Sequence, residues 1–531
     1  MAALTEAEPK PQGLRKKTTR SIAWSLLGSV GTNVVRIISL AILGRLLAPH
    51  DFGIVATAMT VIVLVQSVRD IGVGGALIQR KNLTQPEIDS AFAFSTWLGL
   101  ALTLVMLLAA PLIGAAFDQP RAVPLLRALS VMFALRGVSM VSFALAQREF
   151  GFRNLALIDT SCYAIGSAAT IAFAATGFGP WAIVWGDLLE IALAAMALLW
   201  MRPPRFTLRV HWQHMRGLLG FGAAYTVAQL ANVVALQGDN AIVSRRLGGD
   251  ALGFYSRAYD MVRIPAMMFT SIVGSVMFPA FATLQHDRER LGQAFRRALF
   301  ATAVILTPAS VGLIVLAPEV IYVVIGPQWT ATILPFQIMG ATMLFRTSYK
   351  IGAIVARAAG DAMRTAITQA IYAVVVIGGA IFASRWGIAG VATTTAIAVA
   401  LNFLMLTTLG LRYTTLTWRG VIGAHRDAAL AGALTLAGAW PTAWWLRSLH
   451  APIAVILVAT TLVGSIGPLA LAYRGIRTPG SDWHWVWDTL RSGLRGKKKN
   501  KVAKAIVHSE EPPATRPPND QPAVPANDRD T

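Results

Sequence analysis

Residues 22–43 read IAWSLLGSVGTNVVRIISLAIL, an unbroken apolar run whose one charged side chain is Arg36. At 1.5 Å of rise per residue, a helix of this length crosses a hydrocarbon core of about 30 Å. Similar runs recur almost to Tyr473. They are continuous rather than alternating, which excludes a closed barrel, and a helix is then the form that satisfies its own backbone inside lipid. Composition agrees: 55% of the residues are hydrophobic, 14% are charged and the mean hydropathy is +0.56, whereas a soluble domain carries about 25% charged residues. The expected spans are 22–43, 54–78, 91–117, 124–146, 157–177, 181–201, 217–243, 261–284, 298–317, 332–356, 365–383, 388–411, 428–446 and 452–473. The fold class is therefore all-α integral membrane, with about fourteen transmembrane helices. The first run is a full span with no small-residue cleavage site behind a short core, so it is expected to stay as a membrane helix.

A formal charge of +21 and a pI near 10.8 raise the question of nucleic acid. In a membrane chain Lys and Arg instead collect in cytoplasmic loops. With the N-terminus inside, the segments facing the cytoplasm hold roughly four times as many Lys and Arg as the external ones. The expectation is a multi-pass protein with both termini in the cytoplasm and no nucleic-acid partner.

The segment 202–216, RPPRFTLRVHWQHMR, is the longest polar break inside the bundle and divides an N-lobe, 22–201, from a C-lobe, 217–411. It is expected to be a cytoplasmic hinge. Shifting the sequence by 200 places Arg45, Leu47, Gly53 and Ala58 of GRLLAPHDFGIVATA on Arg245, Leu247, Gly253 and Ala258 of SRRLGGDALGFYSRA, which suggests an internal repeat. Ser25, Ser29, Thr32, Arg36 and Ser39 lie along one face of the first span, and the shift sets Tyr225, Gln229, Asn232, Leu236 and Asp239 against them. Ser29, Thr32, Asn33, Gln229 and Asn232 are the expected polar lining of a wet cleft, set against the alternative that small polar residues only mediate helix packing. Residues 1–21 form a basic cytoplasmic N-terminus, and spans 428–446 and 452–473 fall outside the repeat, within 412–473. The cytoplasmic tail 474–531 begins with Trp483, Trp485 and Trp487, an expected interfacial anchor. A basic run, Arg491 to Lys504, is expected to meet anionic membrane lipids, before a disordered end.

No Walker A loop, nucleophile elbow, His-Glu-x-x-His or His/Cys metal cluster is present, so neither an enzyme nor a metal site is expected. Asp528-Arg529-Asp530 has an Asp-x-Asp form but lies in the predicted disordered end, where it reads as chance. The single cysteine, Cys162, lies in an apolar run, so no intrachain disulfide forms and a buried thiol is expected. What remains is charge at membrane depth, a functional signal by default. Arg36, Arg69, Arg136, Arg346 and Lys350 fall within spans. Arg346 and Lys350 share a face and repel unless an anion joins them, and guanidinium offers a planar fork matched to phosphate oxygens. Arg36, Arg136, Arg346 and Lys350 are therefore the expected diphosphate site. Arg69 adjoins Asp70, a local pair, and Arg257, Asp260 and Arg263 at spacing three are expected to pair with one another. Asp187, Glu190 and Asp239 are candidates to couple a proton or sodium gradient. No other cofactor is expected.

GRLLAPHDFGIVATA, DIGVGGALIQRKNLTQPEIDSAF, GDNAIVSRRLGGDALGFYSRAYDMVRIP, FPAFATLQHDRERL and GPQWTATILPFQIMG together resemble the polysaccharide flippases of the multidrug/oligosaccharidyl-lipid/polysaccharide exporter superfamily, in the Wzx-type branch of exopolysaccharide and lipopolysaccharide biosynthesis. The resemblance runs from Ser21 to about Arg412. It implies two six-helix repeat lobes around a central cavity plus two C-terminal helices, alternating access, and residence in a bacterial inner membrane. It further implies an undecaprenyl-diphosphate-linked oligosaccharide as cargo, with other polysaccharide assembly proteins as partners. A cation-coupled multidrug exporter of the same superfamily is the alternative. The quoted motifs sit at external connections and read as architectural.

Overall fold

The computed structural model describes residues 11–69, 73–80, 83–149, 151–284, 286–478 and 481–494. The first half holds α1 (Pro11–Leu46), α2 (Pro49–Arg69), α3 (Val73–Gln79), α4 (Gln85–Ala116), α5 (Ala122–Arg148), α6 (Phe152–Ala175) and α7 (Pro180–Met201). The second holds α8 (Trp212–Leu247), α9 (Gly249–Thr283), α10 (Arg288–Val315), α11 (Ala317–Val324), α12 (Ile333–Gly340), α13 (Met343–Ala358), α14 (Ala362–Ala383) and α15 (Gly387–Leu411). Then follow α16 (Trp418–Ser448), α17 (Ile453–Ile476) and α18 (Asp482–Leu494). Among the described residues, nine stretches are long and apolar enough to cross a membrane, one of them running through both α14 and α15. Their outward faces keep large apolar side chains exposed, such as Leu108 at 74% and Leu112 at 75%. In water such a surface would be a liability; in lipid it is the solvent-matched face.

Two expected spans are not single helices. The run 54–78 ends as α2 at Arg69 and resumes as the short α3, whose Ala76 and Leu77 are buried with Phe92 of α4 and Val141 of α5. The run 332–356 breaks at Ala341 and Thr342, where the Thr342 hydroxyl turns back to the Met339 carbonyl at 2.7 Å. A further helix, α11, precedes it and ends at Val324, and the chain turns at Gly326, whose φ of +107° favours glycine.

In the first half α4 packs on α5, α6 on α7 and α1 on α6; in the second α8 packs on α14 and α13 on α15. Helix α16 lies between α10 and α17. Arg447 of α16 reaches α11 through two charge-assisted bonds, Nε to Glu319 Oε1 and Nη2 to Oε2, both 2.7 Å. That bidentate geometry holds the last two long helices to the second half.

The two halves meet at the end of the bundle where α1 turns into α2 and α8 into α9. A Cβ on Gly53 would stand 1.8 Å from the Gly249 carbonyl oxygen, and one on Gly253 would stand 2.1 Å from that of Pro49. Glycine is required at both positions because the backbones touch. These are the glycines that the shift by 200 superimposes, so the two copies of the repeat close on each other about a pseudo-two-fold axis. His50 pairs with Asp250, its own repeat partner, and Arg121 bonds to His50 Nε2 at 3.2 Å. Beneath them the Thr57 and Ser244 hydroxyls bond at 2.8 Å. Trp329 completes the seal: it is fully buried, edge-on to Phe52 at 5.3 Å and Phe254 at 5.8 Å, and donates to the Gly44 carbonyl at 2.8 Å. Three of the sequence motifs that carry the resemblance thus converge on one contact.

The expected hinge is held along the first half as far as Met215. Ser142 donates to the Arg202 carbonyl at 2.8 Å, Trp97 to that of Leu208 at 3.1 Å, and the His211 N–H to Ser90 at 3.3 Å. Met215 is fully buried with Val73, Phe92 and Val141. Of the three tryptophans expected as an anchor, Trp483 is buried, edge-on to Phe300 at 5.4 Å and donating to Asp427 at 3.1 Å. Trp485 lies beneath Arg297, and Trp487 alone of the three is exposed, at 44%. The Asp-x-Asp triplet and all but the first residues of the basic run lie outside the described residues.

Candidate functional site

Below the seal the halves part around a cavity of about 440 Å³. Helices α1, α2, α6 and α7 form one wall, and α8 and α9 form the other. The site is built from charged side chains on these helices, most of them one or two turns from the sealed end.

On the second half, Arg257, Asp260 and Arg263 stand one turn apart along α9. Asp260 bonds Arg257 at 2.9 Å and Arg263 at 3.2 Å, as their spacing predicts. The pairing does not withdraw them from the cavity, which all three line. Two guanidiniums against one carboxylate leave this wall with a net positive charge. Arg257 also lies over the Phe52 ring at 4.8 Å, tying the wall to the seal.

On the first half, Arg36 enters the cavity from α1 with its guanidinium over the Tyr163 ring of α6 at 5.5 Å. Asp187 and Glu190 face the same space from α7, one turn apart. Arg136 of α5 does not line the cavity but lies close enough to act on the charge of both carboxylates. Gly186 and Gly166 let α6 and α7 approach until a Cβ on Gly186 would collide with Thr170 at 1.7 Å. That close packing sets Tyr163, Ser167 and Thr170 beside Asp187 and Glu190.

The remaining predicted residues lie elsewhere. Arg346 is 6% exposed inside the second half, stacked on the far side of Tyr259 at 4.6 Å, and neither it nor Lys350 lines the cavity. Asp239 is 2% exposed and accepts from the Tyr255 hydroxyl at 2.7 Å and from Thr395 at 3.4 Å. Thr32 bonds Thr160 of α6 at 3.2 Å, and Asn33 donates to the Ser29 carbonyl at 2.7 Å, so this part of α1 packs on its neighbour. Asn232 is half-buried away from the cavity, and the side chains of Ser25, Tyr225 and Gln229 lie outside the described residues, as does Asp70. On α8 the lining residues are Gln237 and Asn240. They stand one residue, about 100°, round the helix from the stripe drawn through Leu236 and Asp239. Tyr163, Tyr259 and the α9 ladder also escape a search for charge deep in a span. The ladder sits near a helix entrance, and the tyrosines are neutral.

An all-α bundle whose halves close at one end over a charged internal cavity has the fold of solved membrane transporters. The fold is that of the lipid II flippase MurJ in an inward closed conformation, with a TM-score of 0.72 at 16% identity over 85% of this chain and 99% of that one. An inward-facing multidrug resistance MATE family transporter of the MOP superfamily follows at 0.60, 17% identical over 72% of this chain and 94% of that one. By sequence the chain belongs to the polysaccharide biosynthesis protein family, whose model matches residues 42–334, and it is a multi-pass membrane protein. It is 31% identical to the succinoglycan biosynthesis transport protein ExoT of Rhizobium meliloti (strain 1021) over 322 residues, 59% of this chain and 64% of that one. It is 27% identical to the lipopolysaccharide biosynthesis protein WzxC of Escherichia coli (strain K12) over 338 residues, 63% of this chain and 68% of that one. The match to ExoT thus spans less than two thirds of that relative's length.

Proposed function

We propose that this protein flips a polyprenyl-diphosphate-linked oligosaccharide across the inner membrane of a bacterium and delivers it to polysaccharide assembly proteins outside. The observation that carries this is the placement of Arg36, Arg257 and Arg263 around one cavity between the two halves. Arg257 and Arg263 share the single carboxylate of Asp260, and charge so incompletely compensated is costly in a membrane interior. A diphosphate shares its four non-bridging oxygens among the guanidinium forks and offsets that cost. The relatives in succinoglycan and lipopolysaccharide biosynthesis support a glycan as the attached group.

With both termini in the cytoplasm, the sealed end lies outside. The headgroup then enters from the inner leaflet while its polyprenyl tail stays in lipid. The diphosphate engages α9 from the second half and Arg36 from the first, so binding draws on both halves at once. Transfer requires the Gly53–Gly253 contact to part and the opposite end to close, and a cargo that binds the two states differently shifts their populations. A multidrug exporter shares the fold; the relatives in succinoglycan and lipopolysaccharide biosynthesis and the three arginines converging on the cavity favour the anionic headgroup.

The test is mass spectrometry of lipid-linked intermediates in a deletion strain, with the protein restored as wild type, R36Q, R257Q or R346M. Deletion is expected to accumulate an intact repeat unit on its lipid, facing inward. R36Q and R257Q each lose a charge-assisted contact, expected to lower affinity about 10- to 100-fold at normal membrane abundance, whereas R346M alters a side chain that does not reach the cavity. Full export by both R36Q and R257Q would remove the cavity from the function.

A further inference from the structure

The two walls of the cavity differ in charge, and the difference fixes which way round a glycosylated diphosphate lies. The α9 wall presents two guanidiniums and one carboxylate, already paired among themselves. The α6–α7 wall presents Asp187 and Glu190, neither of which makes a hydrogen bond or an ion pair within 4.0 Å to any described residue. Around them stand the Tyr163 ring and the Ser167 and Thr170 hydroxyls, with the side-chain amides of Gln237 and Asn240 lining the cavity from α8. Arg36 lies between the walls, over Tyr163.

A carboxylate oxygen accepts hydrogen bonds. Two carboxyl groups lining one cavity at membrane depth, with Arg136 acting on the charge of both and no hydrogen-bond donor on either among the described residues, suit a ligand rich in hydroxyl or ammonium hydrogens. Tyr163 adds an apolar ring face with a polar tip, the surface that a pyranose ring packs against. Resting on the flippase reading, we infer that the α6–α7 wall is the subsite for the sugar attached directly to the diphosphate, and that it takes a neutral or amino sugar and rejects an acidic one. The diphosphate lies against α9 and Arg36; the sugar lies against Tyr163 with its hydroxyls donating to Asp187 and Glu190. A uronic acid there would set a third carboxylate beside the other two. At about 440 Å³ the cavity is near the small end of ligand pockets, and the rest of the oligosaccharide extends toward the unsealed end.

The test uses the full-length protein in nanodiscs and three synthetic polyprenyl diphosphates: one bare, one bearing N-acetylglucosamine and one bearing glucuronic acid. Wild type is expected to bind the N-acetylglucosamine lipid at least on the order of tenfold more tightly than the glucuronic acid lipid, since like charges set together suppress the wrong partner. The double variant D187N/E190Q is expected to bring the two affinities together by gaining the acidic lipid. Y163L, which keeps both carboxylates, is expected to weaken the N-acetylglucosamine lipid by a larger factor than the bare lipid, which loses only the ring beneath Arg36. Equal binding of both glycolipids by wild type would overturn the subsite. So would a D187N/E190Q protein with an unaltered sugar preference but an altered pH dependence for the bare lipid, which would make the carboxylates a cation-coupling site. Failure of all three lipids, the bare one included, would instead bring down the diphosphate reading on which the subsite rests.

Discussion

Closing the seal between the halves depends on two glycines, and a single methyl group measures how far. In G53A the new Cβ would stand 1.8 Å from the Gly249 carbonyl oxygen, where real Cβ atoms essentially never come nearer than 3.0 Å. The halves must separate by about 1.2 Å at this point, the difference between those two distances. The obstacle is backbone on a helix end, so no rotamer change relieves it. Overpacking of this kind costs about 1–3 kcal/mol, and it falls on the sealed state alone. A cost of about 2 kcal/mol shifts the ratio of sealed to open molecules roughly 30-fold. The assay is labelling from outside the cell by a membrane-impermeant maleimide at T60C, a position lining the cavity, in a C162A background that removes the one native thiol. G53A and G253A are each expected to raise the labelling rate toward the open-state limit. G312A, where an added Cβ meets nothing within 4 Å, is the control and is expected to leave it unchanged. Unaltered labelling in a G53A protein that inserts at normal levels would refute the idea that these glycines hold the halves together.

The remaining predictions concern the residues that brace the seal and the last helices. W329A removes the side chain buried between Phe52 and Phe254 and is expected to destabilise the protein by about 3–5 kcal/mol, read as a lower melting temperature in detergent together with faster T60C labelling. E319A leaves the Arg447 guanidinium without its bidentate partner; because Arg447 is 37% exposed, the loss is expected to be about 2 kcal/mol rather than the full value of a buried pair. Co-expression of residues 1–416 and 417–531 as separate chains should then show weaker association for E319A than for wild type, and equal association would refute the clamp.

Much of the bundle is visible in the linear sequence because crossing a membrane is a local property. A run such as 22–43 declares itself by length and apolarity alone, whatever packs beside it. The shift by 200 is equally local evidence, and it sets Gly53 on Gly253, the two glycines at which the halves close. The pairing of Arg257, Asp260 and Arg263 was also legible, since residues one turn apart on a helix are neighbours by construction.

Which of the charged residues surround a common space was a different kind of question. Arg36 and Arg346 look alike in sequence, each a lone arginine deep in a span. Helix rotation puts the first into the cavity and the second behind Tyr259. One residue of phase on α8 separates Asn240, which lines the cavity, from Asp239, which is bound to Tyr255 inside the second half. The sequence alone determined what each segment is dissolved in and where the repeat lies, because hydropathy and self-similarity are carried by neighbours along the chain. The tertiary structure decided which side chains share the cavity and which wall is acidic, because a rotation of about 100° about a helix axis changes every side-chain partner and leaves the hydropathy of the segment untouched.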